Sequence, residues 1–248
     1  MQLQLLSWPE VEAYLEKSKT ILIPIGSTEQ HGPTGLMGTD AICAEVIGRR
    51  AGGEAGILVA PTFSVGQAQH HMDFPGTMTL RPSTMIAAMI DWARSLAHHG
   101  FERLYWLNGH GGNVATMNAA FSEIYHAASL GEAKGRQLVC KMRNWWELPG
   151  VGEVSRQLFP VGEGHHATPS EVSVTYFVYP EARKTVLMEP KIAPLGPIHD
   201  AADYRRRFPD GRIGSDPSQA NREAGEKIVA AAVKAVVAEL RSFAEEKA

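Results

Sequence analysis

Cysteine is scarce in this chain, which has only Cys43 and Cys140. Two cysteines are too few for a disulfide-bonded scaffold, and their wide spacing excludes a CxxC redox or zinc motif. We therefore expect free thiols in a reducing compartment, with the cytoplasm as the default location.

Long apolar runs and a basic excess are also missing. No run approaches the ~20 apolar residues of a membrane span, and the N-terminus lacks the basic and apolar regions of a signal peptide. The net charge is -3, and the one basic cluster, Arg205, Arg206 and Arg207, lies in a loop-like segment. We expect neither a membrane nor a nucleic-acid partner. The cluster is interpreted as a solvated face or a subunit contact, with an anion site as the alternative.

The sequence does contain apolar runs that alternate with helical patterns. The runs predict strands near residues 20–25, 57–63, 102–108 and 136–141. Helices are predicted over residues 41–51, from Pro82, from Asn113 as an N-cap and from near Pro217. This alternation predicts an α/β fold, a three-layer α/β/α sandwich with a mainly parallel sheet. With 248 residues, 44% of them apolar, we expect a single domain over residues 1–248.

Potential metal ligands follow two of these strands. Residues 26–33 read Gly-Ser-Thr-Glu-Gln-His-Gly-Pro, a tight loop that contains Glu29 and His31, and Asp40 follows soon after. Residues 108–113 read Asn-Gly-His-Gly-Gly-Asn, which puts His110 in a glycine-rich turn between a strand and a helix. Because ligands bind beyond the carboxyl ends of parallel strands, we expect these side chains to form one site.

A third cluster adds His166 and Glu171 ahead of an apolar segment, residues 172–178. The candidate ligands are then Glu29, His31, Asp40, His110 and Glu171. This mixed donor set suits Zn, Mn or Fe(II) better than Mg or Ca. Five ligands predict two divalent metals bridged by Asp40, which can hold a nucleophilic hydroxide at neutral pH. A site with one metal is the alternative.

Together these blocks resemble the creatininase family of metal-dependent amidohydrolases. The resemblance rests on residues 26–33, 38–40, 74–77, 108–113, 166–171, 209–211 and 214–217, so it covers nearly the whole chain. It supports the four ligands of the first two loops position by position, and it implies a creatininase-like fold and a homohexamer.

The resemblance also implies roles for single residues. His166 matches the catalytic histidine, which would move a proton from the attacking water to the leaving nitrogen. Glu171 would complete the metal shell beside it. His71 matches a histidine often found at this place in the family and is predicted to contact substrate, with a pocket wall or a hydrogen bond to a ligand as the alternatives.

The substrate pocket is predicted from its neighbours in the sequence. Gly111 allows close approach of the backbone to substrate. Trp146 is interpreted either as an apolar wall over a small planar substrate or, with Trp145, as a hydrophobic plug or subunit contact. Residues 149–164, rich in Gly and Pro, are predicted to form a covering loop.

Two positions depart from the pattern of creatininase within the family. Gly112 stands where a glutamate ligand is expected, so Glu171 becomes the candidate for the fifth ligand. Gly162, followed by Glu163, stands where a pocket tryptophan is expected. Creatinine is therefore one candidate substrate among several.

We expect a metal-dependent hydrolase that cleaves a C–N bond, other than an ordinary peptide bond, in a small cyclic amide or formamide. Within the family, a peptide-processing or carbocyclic ring-opening hydrolase is the alternative. From a different class, the alternative is a non-catalytic, metal-binding regulatory or assembly protein on the same fold.

Overall fold

The computed structural model describes residues 1–131 and 138–246. Its strands are β1 Thr20–Ile25, β2 Leu58–Val59, β3 Arg103–Asn108 and β4 Val139–Asn144. Its α-helices are α1 Trp8–Leu15, α2 Thr39–Ala55, α3 Pro82–His98, α4 Val114–Ser129, α5 Val151–Leu158, α6 Pro169–Val178, α7 Ala201–Arg207 and α8 Arg222–Glu245. None of these helices combines the length and the apolar character of a membrane span.

The four strands form one sheet in the order β2-β1-β3-β4, and all neighbours are parallel. Successive side chains of a strand point to opposite faces. In β1, Leu22 belongs to an apolar cluster with α2 and α8, whereas Ile21 and Ile23 belong to a cluster with α3 and α4. Helices therefore cover both faces, which confirms the predicted three-layer α/β/α sandwich.

The two central strands send the chain to opposite faces of the sheet. β1 leads into α2 on one face and β3 leads into α4 on the other, so a crevice opens at their carboxyl ends. Here Gly109 donates a backbone hydrogen bond to Ile25 over 2.7 Å. A Cβ atom on Gly109 would lie 2.0 Å from the carbonyl oxygen of Asp40. Glycine is therefore required for the first turn of α2 to lie against the strand ends.

Two strands differ from their predicted ranges. β2 is limited to Leu58–Val59, although Phe63 forms one more bridge, with Ile25. Pro61 lies between them and has no N–H to donate to the ladder. β4 covers Val139–Asn144 instead of residues 136–141, of which residues 136 and 137 lie outside the described residues.

One helix is not capped as predicted, and another begins later than predicted. α4 begins directly after Asn113, at the predicted position, but the Asn113 side chain does not cap it, because this side chain bonds to the backbone of Gly26 and Gln67 instead. Pro217 begins another short 3-10 turn, and α8 begins at Arg222, where the side chain of Asn221 provides the cap.

Two segments predicted as loops contain helices. Residues 149–164 include α5, which supplies Val151 to the apolar cluster of α2 and α8. The three arginines form the last turn of α7, where Arg206 and Arg207 pair with Asp203. These pairs have the i,i+3 and i,i+4 spacing of a helix, so the loop prediction was wrong.

Candidate metal centre and adjoining cavity

Four ionisable side chains meet at the carboxyl ends of β1 and β3. Glu29 and His31 lie on the loop after β1, Asp40 lies in the first turn of α2, and His110 lies on the loop after β3. Each of the four is at most 6% exposed. The structure thus brings together the ligands predicted from the first two loops.

The donor atoms of this group lie at the spacing of ligands that share a cation. His31 Nε2 is 3.1 Å from Asp40 Oδ1, and His110 Nδ1 is 3.1 Å from Asp40 Oδ2. The second ring nitrogen of His110, Nε2, is 3.2 Å from Glu29 Oε2 but also faces the carbonyl oxygen of Gln67, so it is not one of these donor atoms. Ligand atoms that bind one zinc ion tetrahedrally lie ~3.3 Å apart. Glu29, His31 and Asp40 each offer a donor atom within 4.8 Å of the others.

Three carboxylate oxygens of this group have no hydrogen-bond donor. They are both oxygens of Glu29 and Oδ2 of Asp40, all buried. The nearby imidazole nitrogens lack the alignment of hydrogen bonds to them. Burying polar oxygens without hydrogen bonds is costly, and a cation among these oxygens would remove that cost. The donor set therefore fits a divalent metal.

Backbone carbonyls orient two of the imidazoles. His31 Nδ1 lies 3.1 Å from the carbonyl oxygen of Glu29, and His110 Nε2 lies 3.1 Å from that of Gln67. A carbonyl only accepts, so each of these nitrogens carries the hydrogen. His31 Nε2 and His110 Nδ1 are left facing Asp40, as in many metal sites.

Protons compete with metal at this group. Burial disfavours the charged form of His31, but the attraction of Asp40 and the other carboxylates outweighs it and raises the pKa to about 10. In the same way, Glu29 and Asp40 outweigh burial and raise the pKa of His110 to about 9. Burial opposes the charge of Asp40, yet the two histidines hold its pKa below the usual value. Without metal, the group is thus neutralised by imidazolium protons.

Glu171 reaches the site from the start of α6. Its Oε1 accepts a hydrogen bond from the backbone N–H of Thr168 over 2.6 Å, and Thr168 Oγ1 accepts one from the backbone of Glu171. This reciprocal pair is a capping box. The other oxygen, Oε2, lies 3.8 Å from His31 Nε2. Glu171 therefore has one oxygen available to the site.

A cavity of about 250 Å³ opens beside this group. Its walls include Asp40, His110, Gly111, Trp146, His166 and Glu171. Trp145 also borders it but is 2% exposed and packs mainly in the core. The predicted substrate residues Gly111 and Trp146 thus lie on the cavity wall.

His166 and His71 lie on the other side of Glu29. His166 Nδ1 is 3.9 Å and His71 Nε2 is 3.0 Å from Glu29 Oε1, so the three residues form a second compact donor group. Whereas His166 borders the cavity, His71 is buried and is not among its lining residues. The exposed His165 borders the cavity as well.

Gln30 has no role predicted from the motifs, although it lies between the two predicted ligands of its loop. Its side-chain Nε2 contacts His71 Nδ1, His166 Nε2, Tyr204 Oη and the carbonyl oxygen of Gly211. In the sequence, the one indication of these contacts is the position of Gln30 between two proposed ligands in a tight loop.

A parallel α/β sandwich with a buried carboxylate and imidazole group beside a small cavity is the arrangement of a metal-dependent enzyme. The family model for creatininase, described as creatinine amidohydrolase, matches residues 4–240. The chain therefore belongs to the creatininase family, as its motifs predicted.

Individual relatives and structures agree with this family. A mycofactocin precursor peptide peptidase of Mycobacterium ulcerans is 30% identical over 226 residues, or 85% of this chain and 80% of the relative. The creatinine amidohydrolase of Pseudomonas putida is 27% identical over 253 aligned residues, 95% and 94% of the two chains. A manganese form of creatininase and a Zn-Zn form of a creatininase variant each match with a TM-score of 0.85 and 25% identity, over 99% of this chain and 99% and 98% of theirs.

Proposed function

We propose that this chain hydrolyses a C–N bond in a small substrate, either a cyclic amide or a formamide. The proposed reaction uses two divalent metals, and His166 acts as both acid and base. One observation carries the proposal. The same cavity is bordered by Asp40 and His110 of the donor group and by His166. A carbonyl group bound in this cavity would contact the proposed metal centre and His166 at the same time.

The size of the cavity supports a small substrate. Pockets for drug-sized ligands commonly measure about 300–1,000 Å³, and this cavity measures about 250 Å³. Trp146 supplies an apolar wall and Gly111 a wall without a side chain, so a compact planar group fits between them. The similarity to a peptidase favours a second candidate substrate, a peptide whose terminal residue enters the cavity.

The proposed ligands are Glu29, His31, Asp40, His110 and Glu171, and the proposed metals are Zn, Mn or Fe. When bound, such ions lower the pKa of water enough to supply hydroxide at neutral pH, and they polarise a carbonyl group. Asp40 is the proposed bridge, because its two oxygens face different imidazoles.

His166 is suited to move the proton. Burial, together with repulsion from His71 and His31, holds the pKa of His166 well below its usual value, so the ring is neutral. In the proposed reaction the water oxygen bonds to the amide carbon, and His166 Nδ1 takes the proton of the water. As the C–N bond breaks, the same atom donates that proton to the leaving nitrogen.

The first test is elemental analysis of the purified protein, followed by an activity screen on creatinine, cyclic amides, formamides and short peptides, with and without a chelator. We expect about two transition-metal ions per chain, as in two-metal sites, and hydrolysis of a small amide that chelation abolishes. Hydrolysis of peptides alone would favour the second candidate. If no metal bound even after reconstitution, the non-catalytic alternative would be the better one.

Three broader predictions belong to this proposal: one domain over residues 1–248, a cytoplasmic location and a homohexamer. The segment after α6 supports self-association, because Leu187 is 89% exposed and Leu195 is 68% exposed. Such exposed apolar side chains are typical of subunit contacts. Light scattering of the purified protein would give the number of subunits.

A further inference from the structure

Gln30 contacts both histidines of the second donor group. Its side-chain Nε2 lies 2.9 Å from His71 Nδ1, and its backbone oxygen lies 2.8 Å from His166 Nε2. Gln30 itself is 6% exposed, so water does not compete freely for these contacts. Gln30 is therefore the hydrogen-bond partner that the two rings share.

The orientation of the Gln30 amide is fixed independently of the histidines. The backbone N–H of Gly32 donates to Oε1 over 2.8 Å, and Nε2 donates to the carbonyl oxygen of Gly211 over 3.0 Å. A flipped amide would place a donor against the Gly32 N–H and an acceptor against the Gly211 carbonyl. The atom that faces His71 is therefore the amide nitrogen, a donor.

This donor determines the tautomer of His71. Because Nδ1 of His71 accepts the hydrogen bond, the hydrogen of the neutral ring lies on Nε2. Nε2 is the atom 3.0 Å from Glu29 Oε1. A nitrogen that carries a hydrogen has no lone pair for a cation. His71 therefore cannot serve as a metal ligand through the atom that faces the site.

The backbone of Gln30 determines the tautomer of His166. A carbonyl oxygen at 2.8 Å can only accept, so Nε2 of His166 carries the hydrogen. The side-chain Nε2 of Gln30 also lies 3.0 Å from this atom, but its two hydrogens have three other acceptors within reach, His71 Nδ1, Tyr204 Oη and the Gly211 carbonyl oxygen. The lone pair of His166 is thus on Nδ1, the atom that faces Glu29.

We propose that Gln30 is a positioning residue. By fixing the tautomers of His71 and His166, it distinguishes these two rings from the imidazoles that bind metal. His31 binds the cation through the nitrogen that its carbonyl contact leaves free. His71 is held in the opposite tautomer by Gln30, so the nitrogen that faces Glu29 carries a hydrogen and has no lone pair for a cation. Of the two compact donor groups, the one with His31 and Asp40 then binds metal, and the one with His71 does not.

For His166, Gln30 keeps the lone pair at Nδ1, where the proposed reaction needs a base. This part of the inference rests on the proposed function. The assignment of the hydrogens does not depend on it, since it follows from contacts that are present whether or not the protein turns over a substrate.

Neutron diffraction from deuterium-exchanged crystals of the purified protein tests the assignment directly. We expect deuterium on Nε2 of both His71 and His166 and none on either Nδ1. Deuterium on Nδ1 of His71 or on Nδ1 of His166 would overturn the inference. In Gln30→Glu, whose carboxylate accepts instead of donating, the deuterium of His71 is expected to move to Nδ1. The control is Tyr204→Phe, which removes another contact of the same amide and should leave both rings unchanged.

Metal binding gives a second readout that does not need crystals of a variant. After equilibration with excess Zn²⁺ and removal of free metal, His71→Gln should hold as much zinc as the unchanged protein, and His31→Gln should hold less. Loss of zinc from His71→Gln equal to that from His31→Gln would contradict the assignment.

Kinetics separate the inference from the proposed function. For the substrate found in the screen, Gln30→Glu should lower kcat by about 10–100-fold, the usual effect of residues that orient site groups, and leave KM nearly unchanged. If no substrate is found, the proposed function fails while the diffraction result still decides the tautomers. Full activity of Gln30→Glu would overturn the positioning role.

Discussion

His110 Nδ1 lies 3.1 Å from Asp40 Oδ2, and this contact joins the loop after β3 to the first turn of α2. Both residues are nearly inaccessible to solvent, at 6% and 3% exposed. Without metal, the contact is an ion pair between an imidazolium and a carboxylate. In the proposed metal-bound state the same two atoms would be ligands, and the imidazole proton would be exchanged for the cation.

Metal binding is expected to release protons. In the metal-free protein the pKa of His31 is about 10 and that of His110 is about 9. A pH of 7.5 is below both values, so both rings are charged. A cation needs their lone pairs, and binding therefore expels up to about two protons per chain. Titration calorimetry of the metal-free protein with Zn²⁺ in buffers of different ionisation enthalpy measures this number. Release should decline as the pH rises through 9 to 10, and binding without proton release would contradict it.

His166→Asn should lose turnover but keep its metal. The substitution removes the proposed proton carrier, a function worth about 10²–10⁴-fold in rate, and His166 is not among the proposed ligands. Elemental analysis and kcat measured on the same preparation test both halves. The control is His165→Asn, its exposed neighbour, which should retain most of the activity. Equal losses in the two variants would remove the case for His166.

Gly112→Ala should weaken metal binding, whereas Gly111→Ala should not. A Cβ atom on Gly112 would lie 2.3 Å from His110 Nε2 and 2.7 Å from the carbonyl oxygen of Gln67, so His110 must move. A Cβ atom on Gly111 would meet nothing within 4 Å. We expect a loss of about 10–100-fold in zinc affinity for the first variant, measured by competition with a chelating dye. Similar affinities would show that His110 adjusts freely.

Glu163→Gln should stabilise the protein at high pH and not at low pH. Burial raises the pKa of Glu163 from 4.5 to about 7, although a hydrogen bond from Ser170 opposes this. Since the unfolded chain binds the proton less tightly, stability falls between pH 4.5 and 7 and stays lower above. The neutral amide avoids this loss, of order 3 kcal/mol.

Thermal unfolding at pH 5 and pH 8 measures the effect of Glu163→Gln. The Tm should rise by several degrees relative to the unchanged protein at pH 8, with little difference at pH 5. An equal shift at both pH values would show that charge is not the cause.

The sequence predicted the architecture and the meeting of the first candidate ligands because both follow from local patterns. Apolar runs placed the central strands almost at their observed limits, and the strand-end position of Glu29, His31 and His110 was enough to bring them together. α5 could not be predicted in this way, because its Gly- and Pro-rich surroundings resemble a loop. Its helix is stabilised by packing against α8.

The function of Gln30 could not be read from local patterns at all. Its contacts reach His71, His166, Tyr204 and Gly211, which lie 41, 136, 174 and 181 residues away in the chain. Asn113 shows the converse. It has the residue type of an N-cap, but its side chain bonds to Gly26 and Gln67, because the fold brings those backbones within reach.

Glu171 divides its two oxygens between the start of α6 and the donor group. A substitution there changes the helix and the metal site together, so mutagenesis at this position cannot separate folding from binding. For an engineer this is a trade-off: a shift of α6 that improves the cap also moves a proposed ligand. Redesign of the cavity is therefore better begun at Gly111, where an added Cβ atom would meet nothing within 4 Å, than at Trp146, which packs against the apolar core.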